Sequence, residues 1–418
     1  MIIPRPHYMD RLVAGMDSGR VKVITGMRRC GKSFLLFNLF KSHLLKTGVP
    51  RENIIEMAFD RFGNRRFRDP EIFYSYVSEQ LKDKPGIKYV LLDEVQMLGE
   101  FSEVLIDLIG MRDVDVYVTG SNAHLLSKDV VTEFRGRGQE IRMLPLSFSE
   151  FMGAFEGDRR DGYVEYATYG GLPAVLGQPS PEEKEGYLKD LYHELYLRDI
   201  IERNGIRNEG DLDELVDVLS SSIGSLTNPT RLAATFKSEK HENISAETIG
   251  RYISCLEDAF LINRAKRFDI KGRRYIGTPF KYYFSDLGVR NARMNFRQME
   301  EPHIMENVIY NELIGRGYGV DVGVVTTSAR NANGVSQRVQ LEVDFICNKG
   351  SKRCYIQSAL ALPTEQKWEQ EQRSLLKIDD GFKKIIITRD GLVPHYSDDG
   401  ILVMNVYDFL LDPRSLEF

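Results

Sequence analysis

GMRRCGKS, residues Gly26 to Ser33, is the stretch on which the fold turns: glycine at its first and sixth positions, then lysine, then a hydroxyl residue. Before it, VKVIT (Val21 to Thr25) is short and β-branched. After it, Ser33 to Leu45 carries Phe34, Leu35, Leu36, Phe37, Leu39, Phe40, Leu44 and Leu45. That order predicts a strand, a tight loop and a buried helix. Gly26 and Gly31 let successive backbone N–H groups curl around a phosphate, and the start of the helix adds its positive end. Lys32 is expected to bridge the β- and γ-phosphates of ATP, and Ser33 to ligate Mg2+. Met27, Arg28, Arg29 and Cys30 complete the cradle, and Phe34 just beyond it is counted with the nucleotide-binding residues.

Further along, YVLLDE (Tyr89 to Glu94) is an apolar strand that runs into two adjacent carboxylates, the pattern called Walker B. At the end of a strand Asp93 is placed to join the Mg2+ shell. Glu94 points the other way, where it can orient and deprotonate an attacking water. Such a pair is common in isolation, and the upstream loop gives this one its meaning. Glu94 argues for hydrolysis over nucleotide sensing alone. VYVTGSN (Val116 to Asn122) reads as another strand, expected beside the Asp93 strand, with Ser121 or Asn122 as the group that hydrogen-bonds the γ-phosphate or the water. FRGR (Phe134 to Arg137) precedes a last strand near Gln139 to Leu144, and its Arg135 or Arg137 is a candidate to complete a neighbouring subunit's site.

Strands at Asn53 to Phe59 and Asp115 to Thr119, separated by helical segments such as Pro70 to Leu81 and Phe101 to Gly110, imply a parallel sheet with helices on both faces. A chain of 418 residues exceeds one ordinary core, so several domains are expected. Hydrophobic content of 42% with 28% charged residues describes a globular protein. No apolar run is long enough to span a bilayer and the N-terminus lacks a signal pattern, so no membrane partner is expected. Cys30, Cys255, Cys347 and Cys354 form no CxxC pair, which fits a reducing, cytoplasmic setting and not a zinc site. Net charge is -5, yet between Arg231 and Lys281 eleven Lys/Arg stand against six Asp/Glu. That segment is the candidate surface for an anionic polymer.

From Phe148 to about Asn204 the strand signal gives way to helical periodicity, notably over Glu183 to Glu202. Three helices follow, at Leu212 to Ile223, Thr230 to Lys237 and Ala246 to Ala259, then two strands flanking Gly272, the order of a winged helix-turn-helix. Thr248, Arg251 and Tyr252 fall on its recognition helix; Arg264, Lys266, Arg267, Lys271, Arg273 and Arg274 stud the hairpin. After Asp286 comes a further α/β unit.

GMRRCGKS, YVLLDEVQ, VTGSN, FRGRGQEIRMLPLSFSEF and YGGLP (Tyr169 to Pro173) together resemble a group of bacterial and archaeal AAA+ ATPases over nearly the whole chain. The resemblance implies a P-loop NTPase sheet over 1–150, a helical lid or connector over 151–205, a winged helix over 206–285 and a module similar to the PD-(D/E)xK restriction-endonuclease fold over 286–418. It also implies ATP binding and hydrolysis, Mg2+ dependence and a homo-oligomer, and it selects Arg137 over Arg135 as an arginine finger. Active PD-(D/E)xK nucleases need an Asp, then Glu or Gln, one residue, and Lys on the next strand. Here Asp344 and Gln357 are present, with Glu306 or Glu312 as a third ligand, but Ala359 stands where Lys is required. A retained fold without cleavage is expected.

The function expected from these residues is Mg2+-dependent ATP hydrolysis, carried by Lys32, Ser33, Asp93 and Glu94 with Asn122 and Arg137. It drives a conformational switch or remodelling step on double-stranded DNA or a DNA-bound partner, held by the winged helix and the C-terminal module. The alternatives are a slow nucleotide-gated sensor or scaffold and an ATP-dependent nuclease.

Overall fold

β1 (Val21–Thr25) is buried at all five positions, which is what a strand covered on both faces requires. The same holds for β3 (Lys88–Asp93), and nearly so for β2 (Ile54–Ala58) and β4 (Val114–Thr119), whereas β5 (Gly138–Arg142) is only partly covered. In the computed structural model these five strands pair in the order β2-β3-β4-β1-β5, and every neighbouring pair is parallel. The structure describes the chain apart from residues 1, 121–133, 135, 241–243, 298–299, 331–335, 390, 392 and 418, and apart from the side chains of 194–196, 239–240 and 329–330.

Alternation along the strands sends side chains to two helical layers. Val90, Leu92, Val116 and Val118 share one core with Phe73, Val77 and Leu81 of the helix Pro70–Leu81 and with Val104, Leu105 and Leu108 of the helix Phe101–Gly110. Tyr117 faces the other way and meets Phe40, with ring centroids 4.4 Å apart. Phe40 ends a π-helical stretch, Leu35–Phe40, set between the α-helical turns Lys32–Phe34 and Lys41–Lys46. Fully burying a side chain such as Phe73 is worth roughly 1.5–3 kcal/mol. Pro70 opens its helix behind Asp69, whose carboxylate accepts from the Glu71 and Ile72 N–H groups.

The described chain divides into two compact units, the first Met1–Pro145 with 172–174 and 258–260, the second the remainder. In the second unit, helices Phe148–Met152, Arg159–Tyr169 and Pro181–Asp190, the last continuing through Leu191–Leu197 into Arg198–Asn204, precede helices Glu209–Ser221, Pro229–Thr235 and Ala246–Asp258. An antiparallel hairpin follows, β6 (Ile262–Asp269) and β7 (Arg274–Phe284). After it come β8 (Gly319–Arg330), β9 (Ser336–Lys349), β10 (Lys352–Ala359), β11 (Lys383–Thr388), β12 (His395–Tyr396) and β13 (Leu402–Asn405), with the long helix Glu301–Gly315 before β8. β6 and β8 run parallel, with Arg267 opposite Val322, so all eight strands form one sheet, β12-β13-β11-β10-β9-β8-β6-β7. The boundary expected between 285 and 286 therefore falls inside one unit, because backbone pairing carries the hairpin into the later sheet. No helix among the described residues is long and apolar enough to cross a membrane.

Candidate functional site

Parallel pairing puts the C-terminal ends of β1, β3 and β4 on one edge, and the polar residues that end them meet there. β4 lies between β1 and β3, with Thr119 opposite Ile24 and Val118 opposite Leu92. The Gly26 to Ser33 loop leaves this edge in a conformation few sequences can take. Gly26 has φ +143°, and a Cβ there would lie 2.1 Å from the Met143 carbonyl oxygen. Gly31 has φ +103° where the helix begins. The close approach and the left-handed backbone both demand glycine. Gly26→Ala is expected to abolish binding of a fluorescent ATP analogue in a titration while the circular dichroism spectrum keeps its helical signal.

Lys32 is almost fully buried, and its ammonium donates to the carbonyls of Gly26 and Met27, each at 2.9 Å. The loop thus wraps its own cation. Ser33 Oγ donates to Asp93 Oδ1 at 2.8 Å, and Thr119 Oγ1 donates to the same oxygen. Thr119 Oγ1 in turn accepts from the Glu94 N–H at 3.1 Å, so one hydroxyl ties the two carboxylate residues together. Burial raises the Asp93 carboxyl above its ordinary range; the Thr119 and Ser33 hydroxyls lower it, while the charges of Glu94 and Asp60 add to the rise. Glu94 adopts the left-handed region at φ 53°, a turn uncommon for a side chain of its kind, and its Oε2 accepts from Gln96 Nε2. The two adjacent carboxylates hold different side chains, Ser33 and Thr119 on Asp93 and Gln96 on Glu94, although the Glu94 backbone shares Thr119. The hydroxyl and carboxylate oxygens of Ser33 and Asp93 are the hard donor set that Mg2+ takes alongside phosphate oxygens.

Three supports of the site were not anticipated from the sequence. Thr119, the last residue of its strand, ties Asp93 to the Glu94 backbone; Ser121 and Asn122, expected to contact the γ-phosphate or the water, lie outside the described residues. Arg5, 3% exposed, donates to the carbonyls of Cys30 (3.3 Å), Leu144 (2.8 Å) and Pro145 (3.3 Å), pinning the loop to the exit of β5. Gln96 holds Glu94. Only Thr119 had a sequence signal, its place at a strand end. Met27 and Cys30 are buried within the loop, while Arg29, Ser33 and Phe34 are exposed. Arg137 is exposed and precedes Gly138, which pairs with Val21. It therefore lies at the opposite edge of the sheet from the loop and is not brought to the site of its own chain. Arg135 lies outside the described residues.

In the second unit, several residues of the positively charged segment do not face water. Lys281 is 4% exposed, and its Nζ lies 2.8 Å from Glu306, 2.7 Å from Glu342 and 3.8 Å from Asp344. Lys281, from β7, is thus the ammonium that stands among Glu306, Glu342 and Asp344. Tyr283 Oη also donates to Glu306 at 2.6 Å, and the Ser358 N–H donates to Asp344 at 2.8 Å. Burial pushes Glu306 up, but Lys281, His303 and Tyr283 outweigh it and hold the carboxyl at about 2. Burial and the charge of Glu306 push Asp344 to about 7 against the pull of Lys281. Gln357 Oε1 is buried without a hydrogen-bond partner among the described residues, and Glu312 pairs with Arg316 instead of joining the cluster. Among the described residues, no group of three or more His, Cys, Asp or Glu side chains is arranged to hold a metal. Tyr252 and Arg267 are buried and Arg264 is paired with Glu257, leaving Arg251, Lys266, Lys271, Arg273 and Arg274 exposed.

A parallel sheet whose edge gathers a glycine-bounded loop, a buried lysine, a hydroxyl and a strand-end Asp-Glu pair defines a P-loop nucleotide-binding protein. A family model described as an AAA domain matches residues 18–152, and one described as a domain of unknown function matches residues 160–300. The chain carries an AAA domain and belongs to one family with an uncharacterized protein of Haemophilus influenzae that is 34% identical over 416 residues, 98% of this chain and 99% of that one. An uncharacterized protein of Methanocaldococcus jannaschii is 26% identical over 412 residues, covering 93% of this chain and 85% of the other. Among solved structures, the Aeropyrum pernix ORC1 protein in complex with DNA is 14% identical, covering 73% of this chain and 94% of that one, with a TM-score of 0.30.

Proposed function

We propose that the chain couples Mg2+-dependent ATP hydrolysis to a conformational switch or remodelling step on DNA or a DNA-bound partner. The observation that carries this reading is the hydroxyl bridge of Thr119, which holds Asp93 beside Ser33 and fixes the backbone of Glu94. Lys32 meets phosphate charge at the mouth of the loop, Ser33 and Asp93 hold Mg2+, and Glu94 takes the proton of the attacking water. The metal, when bound, neutralises phosphate charge. Arg137, remote from its own loop, serves a neighbouring copy in a homo-oligomer, and Asn122 completes the contact to the γ-phosphate. DNA meets the exposed Arg251, Lys266, Lys271, Arg273 and Arg274 of the winged-helix segment.

One contact favours a second reading. The Gln96 amide grips Glu94, which suits a slow, nucleotide-gated sensor whose base is held back until a partner arrives. Phosphate release with and without duplex DNA separates the two: stimulation by DNA supports the first. A low, unresponsive rate combined with a nucleotide-dependent particle size supports the second. A rate unchanged from the Lys32→Ala chain overturns the first, and nucleotide-independent size with it removes both.

A further inference from the structure

Between β2 and the helix Pro70–Leu81, the chain leaves the nucleotide edge of the sheet through DRFGNRRFRD, Asp60 to Asp69. Phe62 in this segment is 84% exposed, the highest value of any large hydrophobic side chain among the described residues. Arg61, Arg65 and Arg66 are exposed beside it, and none has an ion-pair partner among the described residues. An aromatic ring and three guanidinium groups without ion-pair partners among the described residues thus stand exposed within six consecutive residues.

The segment is nonetheless held firmly. Phe62–Arg68 forms a 3₁₀ helix. Phe67 is buried against Tyr76, with ring centroids 4.8 Å apart. Asn64 Nδ2 donates to the Ala58 carbonyl and Arg68 Nε to the Phe59 carbonyl, each at 2.9 Å, and the Arg68 carbonyl accepts from the Gly99 N–H at 2.9 Å. Asp69 is committed to capping the next helix. The internal bonds use Asn64, Phe67 and Arg68, and the Arg66 guanidinium lies over the Phe67 ring, 4.6 Å from its centroid, while Arg61, Phe62, Arg65 and Arg66 remain exposed on this fixed frame.

We propose that Arg61, Phe62, Arg65 and Arg66 form a contact surface for single-stranded nucleic acid. Guanidinium groups recognise phosphate, and an exposed ring stacks on a base free of its own neighbours. In a duplex the bases are stacked on one another and offer the ring no face. An acidic peptide would satisfy the arginines and leave Phe62 unused. The segment is also joined to the nucleotide site by backbone: the Phe59 N–H donates to the Asp93 carbonyl at 3.1 Å, two residues before Arg61. A strand held here is therefore one short connection from the Ser33–Asp93–Glu94 network. The inference extends the reading of the chain as a nucleic-acid-directed ATPase by naming a substrate class for the first unit, but it is measured without turnover.

The test is fluorescence anisotropy on the full chain, without nucleotide, using labelled oligothymidine and oligouridine. A labelled blunt duplex and an unlabelled poly-glutamate competitor complete the set. Phe62→Ala is expected to weaken oligonucleotide binding by about 5-fold or more. Arg65→Ala with Arg66→Ala is expected to weaken it and to flatten the dependence of log affinity on log salt by roughly 0.7 for each phosphate no longer neutralised. Phe62→Ala should keep the wild-type melting temperature, because that side chain is exposed; the double variant, which also gives up the Arg66–Phe67 ring contact, should keep the wild-type circular dichroism spectrum; and Val393→Ala, another exposed hydrophobe, should bind as wild type. Binding of either oligonucleotide, weakened in this way by the substitutions, supports the proposal, and the tighter of the two identifies DNA or RNA. No oligonucleotide binding by wild type, equal binding by the variants, duplex binding weakened as much by the same substitutions, or displacement by poly-glutamate at equal charge overturns it. Binding in a chain that fails to hydrolyse ATP would sink the ATPase reading alone. Hydrolysis without binding would sink this inference alone.

Discussion

Glu94→Gln is expected to lower steady-state phosphate release by about 10²- to 10⁴-fold, the usual worth of a positioned general base. Affinity for ATP should stay within about twofold, since a group that acts on the water contributes little to ground-state binding. The separation follows from the partners of the two adjacent carboxylates. Asp93 is bound to Ser33 and Thr119, so it belongs to the loop and to whatever the loop holds. Glu94 is bound through its backbone to Thr119 and through its carboxylate to Gln96, outside that pairing. Equilibrium binding of a fluorescent ATP analogue, read beside phosphate release on the same preparation, checks both halves. A variant that loses affinity and turnover together would move Glu94 from the water to the nucleotide.

The second large effect is on stability. Lys281→Met should destabilise the second unit by about 3–5 kcal/mol, because it leaves buried carboxylates without their cation. The loss should be partly recovered by adding Glu306→Gln, which removes one of the charges that Lys281 serves. Differential scanning calorimetry reads both, and a Lys281→Met chain as stable as wild type would show that the cluster is solvated. The pH dependence has a definite sign. Asp344, raised from 3.8 to about 7, binds its proton more tightly when folded, so its contribution is present below 3.8 and is lost as pH rises through about 7. Glu306, lowered from 4.5 to about 2, contributes stability that is present above 4.5 and lost as pH falls through about 2.

The first unit was legible in the sequence to the extent that its information is local. A β-branched run, a glycine-bounded loop and an apolar helix are contiguous, and each residue type has one physical job there. The Asp93–Glu94 pair was legible for the same reason, through the apolar strand that carries it. Arg5 was not, because its three acceptors are backbone carbonyls, two of them far along the chain, and a carbonyl leaves no mark in a sequence. Charge counting failed at Lys281 and Arg267, which contribute to a local excess of positive charge and yet are buried, since composition is blind to what a side chain faces. The hairpin at β6 and β7 was visible from its strands and Gly272. Its union with β8 was not, because strand alternation says that a residue pairs without saying with which strand.

Phosphate release from ATP and Mg2+ by the full chain, set against the Lys32→Ala chain and against the wild type in EDTA, tests the central claim most directly. Turnover in the first reaction and background in the other two is the predicted result, because Lys32 is proposed to hold phosphate and Ser33 and Asp93 to hold the metal. Equal rates in all three would contradict it.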